Sequence, residues 1–204
     1  MTALYLASQS PRRRELLTQI GVQHQVLSVS VEECRDKDES PLDYVRRLAC
    51  EKSAAGWQAL ETRELAPAPV LGADTIVVCN GQVMEKPADE AHAIAMLRQL
   101  SGSVHQVFTA VAITCGEVQK AVVSKTDVTF TEISDVEASR YWQTGEPQDK
   151  AGGYGIQGAG ALFVERIEGS YSGVVGLPLF ETRQLLNEFD VSVWQFEPEL
   201  DESE

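Results

Sequence analysis

The segment PVLGADTIVVCNGQVMEKP (69–87) constrains the fold of this chain more than any other segment does. An apolar, β-branched run leads into Asn80-Gly81, a dipeptide typical of a two-residue hairpin turn, and a shorter run returns from it. A hairpin pairs its strands antiparallel, whereas strands joined through a helix pair in parallel. Since helical patterns flank this hairpin, we expect an α/β or α+β fold with a mixed sheet, not a purely parallel doubly wound one.

Apolar periodicity and capping signals predict the elements around this hairpin. Ser10-Pro11 is typical of a helix start, and Ser134 with Glu137 matches a capping box. The strands are predicted at 4–8, 24–31, 69–79 with a return to 87, 105–114, 120–133 and 161–167, and the helices at 11–20, 41–57, 88–102, 135–144 and 177–189.

The formal charge of −14 over 204 residues narrows the function classes. An acidic surface repels nucleic acid and anionic membranes, so neither is expected as a partner. The chain shows no signal peptide and no membrane-spanning apolar run, and its four cysteines form no C-x-x-C motif, which favours a cytoplasmic protein with reduced thiols. We expect residues 1–190 to form one domain and residues 191–204 to form an acidic, solvated tail.

Arg12 and Arg13 follow Pro11 at a predicted helix start, which is unusual in such an acidic chain. Cations there oppose the helix dipole, while the first turn offers unpaired N–H groups. This placement favours an anion site. A solvated basic turn is the alternative.

Asp74 lies in the run VLGADTIVV, which otherwise has the pattern of a buried strand. A buried carboxylate is costly unless it is paired or metal-bound, so we interpret Asp74 as functional, with a turn cap or an exposed strand end as the alternative. Lys52 continues the apolar stripe of the helix at 41–57, either as a phosphate ligand or with its ammonium in water. Glu85 and Lys86 on the hairpin return, and Glu32 or Glu33 after the strand at 24–31, are candidates to join Asp74 in a metal and phosphate site. Alone, the two glutamates at 32 and 33 would be an ordinary charged loop.

The stretch GGYGIQGAG (152–160) contains G-x-G-x-x-G at Gly153, Gly155 and Gly158. No strand precedes it and no helix follows in the predicted elements, so it is not a dinucleotide fingerprint. We interpret it as a loop in which glycine lets the backbone approach a ligand. Gln157, its polar member, either contacts that ligand or satisfies the loop backbone.

In order and spacing, the motifs of this chain resemble the Maf family of nucleoside triphosphate pyrophosphatases. They run up to about Phe189 and are LYLASQSPRR, RLACEKS, VLGADTIV, EKP, LSGSVHQVFTAV, KTDVTF, DKAGGYGIQG and VVGLPLFET. SPRR, GADT and YGIQG resemble the branch acting on dTTP and UTP. The resemblance implies an elongated mixed sheet with flanking helices, two lobes around a cleft, a cytoplasmic homodimer, and Mg²⁺ or Mn²⁺ as cofactor. The implied reaction cleaves the triphosphate between its α- and β-phosphates, giving a monophosphate and pyrophosphate.

The resemblance also implies roles for individual residues. Asp74 matches the proton acceptor, while Arg13, Thr75 and Gln157 match positions of substrate selection, with Arg12 as the alternative to Arg13. A metal-bound triphosphate is a concentrated anion, so arginines and lysines would meet its phosphates. The predicted substrate-binding residues are Ser8, Ser10, Arg12, Arg13, Lys52, Thr75, Lys86 and Gln157, and the predicted metal ligands are Glu33 and Asp74.

A second class of function stays open, a regulatory nucleotide-binding protein, since the resemblance also implies a link to arrest of septum formation and cell division. A sensor would need the basic residues but no catalytic base. Asp74 with Glu33 nearby favours the enzyme. Modified pyrimidine nucleotides are further candidate substrates.

Overall fold

The computed structural model describes residues 3–196, which form one mixed sheet of seven strands flanked by six α-helices. None of these described helices is long and apolar enough to cross a membrane. Most of the predicted tail, from residue 197 onward, lies outside the described residues. The strands are β1 (Leu4–Ala7), β2 (His24–Val26), β3 (Val70–Cys79), β4 (Gln82–Met84), β5 (Val104–Cys115), β6 (Val118–Phe130) and β7 (Val164–Glu168). The helices are α1 (Pro11–Gln19), α2 (Pro41–Thr62), α3 (Glu90–Leu100), α4 (Asp135–Gln143), α5 (Tyr171–Val175) and α6 (Leu179–Glu188).

The sheet has the strand order β2-β1-β3-β5-β6-β7, and β4 pairs with β3. β1 pairs in parallel with β2 and β3, whereas the pairings of β3 with β4 and β5, and those of β6, are antiparallel. Both hairpin residues, Asn80 and Gly81, have positive φ (50° and 76°), as a turn of this type requires. The predicted mixed α/β sheet is therefore confirmed.

Strand β3 changes its partner along one edge. β1 pairs with residues 70–72 and β4 with residues 77–79, while β5 covers the opposite edge from 70 to 78. Residues 73–76, which we call the β3 gap, therefore have no strand partner on the first edge. The gap lies just beyond the carboxyl end of β1, and ligands of open α/β sheets bind at such changes of topology.

Helix α2 packs closely on β3 because two glycines leave no side chain between them. A Cβ on Gly72 would lie 2.4 Å from the backbone nitrogen of Ser53, and one on Gly56 would lie 2.5 Å from Cγ1 of Val70. The interface excludes even a methyl group at these points. This close approach brings Lys52 of α2 to the β3 gap.

Two predicted boundaries on the β2 side differ from the structure. β2 ends at Val26 and not at residue 31, because residues 27–40 form a loop that Arg47 ties to α2. The predicted end of α2 at residue 57 is also wrong. The helix continues to Thr62, since Leu60 is buried and extends the apolar stripe.

Two further differences follow the glycine-rich segment. The strand predicted at 161–167 begins only at Val164, because Ala159–Phe163 form a 3-10 helix. Helix α5 was not predicted, since five residues are too few to show helical periodicity. Its cap was a usable signal: Ser170 accepts a hydrogen bond from the backbone N–H of Gly173.

The two predicted helix starts have different outcomes. Ser134 and Glu137 form the reciprocal hydrogen bonds of a capping box at α4, as predicted. Ser10 occupies the N-cap position of α1, but its side chain makes no capping hydrogen bond. The first turn of α1 therefore keeps N–H groups that Ser10 does not satisfy.

Candidate active site

A cavity of about 660 Å³ opens at the β3 gap. Its wall combines the end of β1, the start of α1, the middle of α2 and the glycine-rich residues 155–158. Ile156 and Val175 line it from one large hydrophobic cluster, and Met84 and Tyr154 line it from another. The cavity thus lies against two parts of the core, as the cleft implied by the resemblance would. All of the predicted site residues line it.

Asp74 faces α2 within the β3 gap, and Lys52 links it to Glu33. The Lys52 ammonium lies 2.7 Å from Oδ1 of Asp74 and 2.5 Å from Oε1 of Glu33. The side chains of Lys52 and Asp74 are 13% and 12% exposed, whereas that of Glu33 is 50% exposed. Lys52 therefore does not extend its charge into water; it holds two carboxylates at the cavity.

The pKa values of the two carboxyl groups that contact Lys52 are shifted in opposite directions. Burial raises the pKa of Asp74, although the charges of Lys52 and Arg13 oppose that shift. Burial also acts to raise the pKa of Glu33, but the hydrogen bond and charge of Lys52 outweigh it, so this pKa is lowered. A carboxylate with a raised pKa is the better proton acceptor. Asp74 therefore suits the base, and Glu33 suits a permanently charged partner.

Two residues of α2 fix the loop that carries Glu33. The hydroxyl of Tyr44, which is 2% exposed, donates to the backbone carbonyl of Glu33 at 3.2 Å. Arg47 holds both carboxylate oxygens of Glu39 at 2.7 and 2.8 Å and donates to the carbonyl of Cys34 at 2.9 Å. Sequence reasoning missed Tyr44 and Arg47. For Tyr44 the usable signal was its spacing, since residues 44, 48 and 52 share one face of a helix, which places Tyr44 on the same side as Lys52.

Three hydrogen bonds hold Arg13 in one orientation. Its Nη1 donates to Oγ of Ser8 at 3.0 Å, its Nη2 to Oγ1 of Thr75 at 3.2 Å, and its Nε to the carbonyl of Gly176 at 2.9 Å. Burial lowers the pKa of Arg13, but a guanidinium stays charged in proteins. Since a guanidinium carries five N–H groups, it keeps two for an anion in the cavity.

Thr75 lies on the opposite face of β3 from Asp74, because successive strand residues alternate. Thr109 donates its hydroxyl to the carbonyl of Gly173 at 2.7 Å, so Thr75 is the donor in its 3.0 Å contact with Thr109. Thr75 in turn accepts from Arg13. Its hydroxyl proton is therefore engaged, and its first effect is to orient Arg13. Thr109 is a member of this network that the sequence did not indicate.

Arg12 and Ser10 lie at the mouth of the cavity, where α1 begins. Arg12 Nη1 is 3.3 Å from Oδ2 of Asp149 in an exposed pair across the mouth. The backbone N–H of Ser10 donates to Oγ of Ser8 at 3.2 Å. An entering anion would compete with Asp149 for Arg12.

Lys86, Glu85 and Gln157 complete the wall and are exposed to the cavity. Burial and the negative charges of Asp74 and Glu33 raise the pKa of Glu85. The cavity is therefore lined by both carboxylates and cations. Gln157 lies on the glycine-rich wall.

The family model described as Maf-like protein matches residues 3–189. The chain belongs to the Maf family. A dTTP/UTP pyrophosphatase of Saccharophagus degradans is 60% identical over 192 residues, covering 94% of this chain and 91% of the relative. Proteins of the same name from Vibrio cholerae and Alkalilimnicola ehrlichii are 56% identical over 189 residues and 51% identical over 191 residues. These matches cover 93% and 92% of this chain, and 99% and 93% of the relatives. The Maf resemblance is confirmed.

The carboxylates of this Maf protein suit a hard divalent cation. Glu33 and Asp74 each place one oxygen on Lys52, and the second oxygen of each forms no hydrogen bond within residues 3–196. The described residues contain no group of three or more histidine, cysteine or acidic side chains arranged to hold a metal. Mg²⁺ is usually held by one or two carboxylates, with substrate phosphates and water as its other ligands. The two predicted ligands fit that pattern.

Proposed function

We propose that this Maf protein hydrolyses dTTP and UTP to the nucleoside monophosphate and pyrophosphate. Relatives named dTTP/UTP pyrophosphatase align over almost the entire chain. The observation that carries the proposal is the pair of carboxylates, Glu33 and Asp74, that contact Lys52. This pair faces Arg13 across β3. A nucleotide sensor would need the cations, but not a buried carboxylate whose pKa is raised.

The cations of the cavity would bind the triphosphate. Arg13 is already oriented, so it loses little conformational freedom when it donates to a phosphate. Arg12 would release Asp149 and bind phosphate instead, and Lys86 also lines the cavity. Charge-assisted hydrogen bonds from these groups position the triphosphate and stabilise the charge that develops on its oxygens.

Asp74 would accept the proton of the attacking water. Lys52 occupies its Oδ1, which leaves Oδ2 for the water. As the water adds to phosphorus, its proton passes to Asp74, and the bond to the oxygen bridging the α- and β-phosphates breaks. Pyrophosphate and the monophosphate leave as separate products. Glu33, Asp74 and the phosphates would hold a divalent cation, which would supply charge neutralisation when bound.

Gln157 would select uracil and thymine. Both bases present an N3–H donor flanked by carbonyl acceptors, and an amide offers one acceptor and one donor to match them. Cytosine reverses this pattern at positions 3 and 4, so polar groups would be left unpaired. The 5-methyl group of thymine is a small apolar addition, and the same pocket would accept pyrimidines modified at that position.

The test is pyrophosphate release from UTP, dTTP, CTP and GTP with Mg²⁺, comparing wild type with Asp74→Asn. We expect UTP and dTTP to be preferred and the variant to lose at least ~10²-fold in kcat, as is typical when a positioned base is removed. Because burial raises the pKa of Asp74, its charged form destabilises the fold above that pKa, so the variant should keep or raise Tm.

A matched control is Glu168→Gln, which neutralises an exposed carboxylate on β7 and should change neither rate nor Tm. Equal kcat/KM for UTP and CTP would refute the base preference. Normal turnover by folded Asp74→Asn would refute the role of Asp74. Tight UTP binding without hydrolysis by wild type would instead favour the regulatory nucleotide-binding class, in line with the division-arrest link that the Maf resemblance implies.

We also propose a cytoplasmic homodimer, which rests on the resemblance to the Maf family. Light scattering on the purified protein tests the dimer. A mass equal to a single chain at micromolar concentration would contradict it.

A further inference from the structure

The carboxylate of Glu146 collects three hydrogen bonds on the glycine-rich wall of the cavity. Its Oε1 accepts from the hydroxyl of Tyr141 at 2.7 Å and from the backbone N–H of Gly160 at 3.1 Å. Its Oε2 accepts from the backbone N–H of Ala159 at 2.8 Å. The Tyr141 hydroxyl also accepts from the backbone N–H of Gly155 at 3.0 Å. One partly buried carboxylate, with one tyrosine, therefore holds both ends of residues 155–160.

The loop lies so close to these two side chains that a Cβ at either of two of its glycines would meet them at less than 3 Å. A Cβ on Gly158 would lie 2.1 Å from Oε2 of Glu146. One on Gly160 would lie 2.5 Å from the Tyr141 hydroxyl. Glycines here serve contact with Glu146 and Tyr141, in addition to any approach to a ligand. Because of this close packing, the position of the backbone of residues 155–160 depends on the carboxylate of Glu146.

The charge on Glu146 is secured by the same contacts. Burial acts to raise its pKa, but the hydrogen bonds from Tyr141, Gly160 and Ala159 outweigh burial, so the pKa is lowered. A charged acceptor makes stronger hydrogen bonds to N–H and O–H donors than a neutral one does. Tyr141 is itself fixed, since it is buried and packs edge-on against Phe163.

Gln157 lies between the held ends of this loop and faces the cavity. We propose that Glu146 is the positioning residue that sets the place of Gln157, and through it the choice of pyrimidine base. Glu146 acts on the backbone of the loop and does not contact the base. This inference rests on the proposed function, in which Gln157 distinguishes uracil and thymine from cytosine.

The experiment is a double-mutant cycle on the ratio of kcat/KM for UTP to that for CTP. Glu146→Gln keeps the shape but replaces one acceptor oxygen by an NH₂ group, so at least one of the three donors loses its partner. We expect the ratio to fall by roughly 10-fold, the scale of losing a hydrogen bond to a charged group, mainly through the KM for UTP. Gln157→Ala should lower the ratio at least as far, and the double variant should match Gln157→Ala alone.

Hydrogen exchange supplies a readout that does not depend on activity. The backbone amides of Ala159 and Gly160 should exchange faster in Glu146→Gln, since they lose a charged acceptor. The matched control is Glu137→Gln. Glu137 also accepts a backbone N–H and a hydroxyl, in the capping box of α4, but it does not line the cavity. Glu137→Gln should lower Tm without changing the ratio of kcat/KM for UTP to that for CTP.

The outcomes separate this inference from the proposed function. If wild type shows no preference for UTP over CTP, the proposed base selection fails, and the inference that rests on it fails as well. If wild type shows the preference but Glu146→Gln leaves the ratio unchanged, only the inference is overturned. Additive effects of the two substitutions in the cycle would also overturn it, because Glu146 would then act independently of Gln157.

Discussion

At the scale of single residues, Asp74 combines two conditions that rarely meet. It lies in the middle of a strand whose other residues, apart from Thr75, are buried, yet its side chain lines the cavity. The β3 gap makes this possible, since a neighbouring strand on that edge would close the cavity. Lys52 limits the cost of burying the charge, and the remaining desolvation is what raises the pKa of Asp74.

Removing a charged neighbour of Asp74 should shift its pKa in a direction set by the sign of the charge removed. Lys52→Met removes a positive charge that lowers the pKa of Asp74, so that pKa should rise. Glu33→Gln removes a negative charge that raises it, so that pKa should fall. Titrating the Asp74 carboxyl carbon by NMR in the metal-free protein measures both shifts directly. In wild type the midpoint should lie above the ordinary value of 3.8. Shifts in the same direction would mean that direct charge is not the cause.

At the scale of elements, the site depends on how closely α2 approaches β3. The backbone of Gly72 touches that of Ser53, one residue after Lys52. Any separation of the two elements would therefore lengthen the contact between Lys52 and Asp74. Helix packing and catalytic geometry are set by the same interface.

Gly72→Ala tests that dependence. The new methyl group would lie 2.4 Å from Ser53 N and 2.5 Å from Ala49 O, both backbone atoms that cannot rotate away. We expect a loss of roughly 1–3 kcal/mol in the free energy of unfolding, typical of overpacking, together with a lower kcat. Chemical denaturation and UTP turnover measure the two effects. The control is Gly81→Ala in the hairpin turn, where nothing lies near the new methyl group but φ is 76°, so stability should fall without a specific loss of kcat.

Elements marked by apolar periodicity or by local turn and capping chemistry were predictable from the sequence, whereas those that depend on tertiary contacts were not. The hairpin at Asn80-Gly81 and the capping box at Ser134 each depend on local chemistry that the sequence displays. Helix α5 and the 3-10 helix at Ala159–Phe163 depend on tertiary contacts instead. For the same reason, the sequence pointed to the residues lining the cavity but not to those holding them in place.

Supporting residues such as Tyr44, Thr109 and Glu146 carry no signature of their own. Tyr44 acts through a carbonyl eleven residues earlier in the chain, and Glu146 acts on amides thirteen and fourteen residues later. Thr109 is one polar residue in a buried strand, where the sequence alone does not tell a satisfied hydroxyl from a functional one. Such roles follow only from three-dimensional contacts.

At the scale of the whole molecule, a cavity whose lining balances five basic side chains against five acidic ones lies within a strongly acidic protein. The cations of the cavity are gathered at the β3 gap, while the formal charge of the chain is −14. A small anion meets this locally balanced charge, whereas a polyanion must also pass over the acidic surface. We therefore expect the protein to bind free nucleotides in preference to nucleic acid.

Hydrolysis of UTP in the presence of poly(U) at low ionic strength checks this selectivity. We expect kcat/KM to stay within about twofold of its value without polymer, since polymer binding depends on many cationic contacts to phosphate. Inorganic pyrophosphate serves as the control, because a small anion should inhibit competitively. Competitive inhibition by poly(U) would contradict the expectation.

The back-to-back placement of Asp74 and Thr75 on β3 also limits how this protein can evolve. Substitutions change such a strand gradually, but an insertion or deletion of one residue exchanges its two faces. The carboxylate would then point toward Arg13 and the hydroxyl toward Lys52, and the core residues on either side would be inverted with them. No number of residues in β3 lies between the one that gives the present site and the one that gives the reversed site. A connection away from the cavity, such as the turn at residues 116–117 between β5 and β6, is free to change length, whereas the span from Val70 to Cys79 is fixed at its present count of residues.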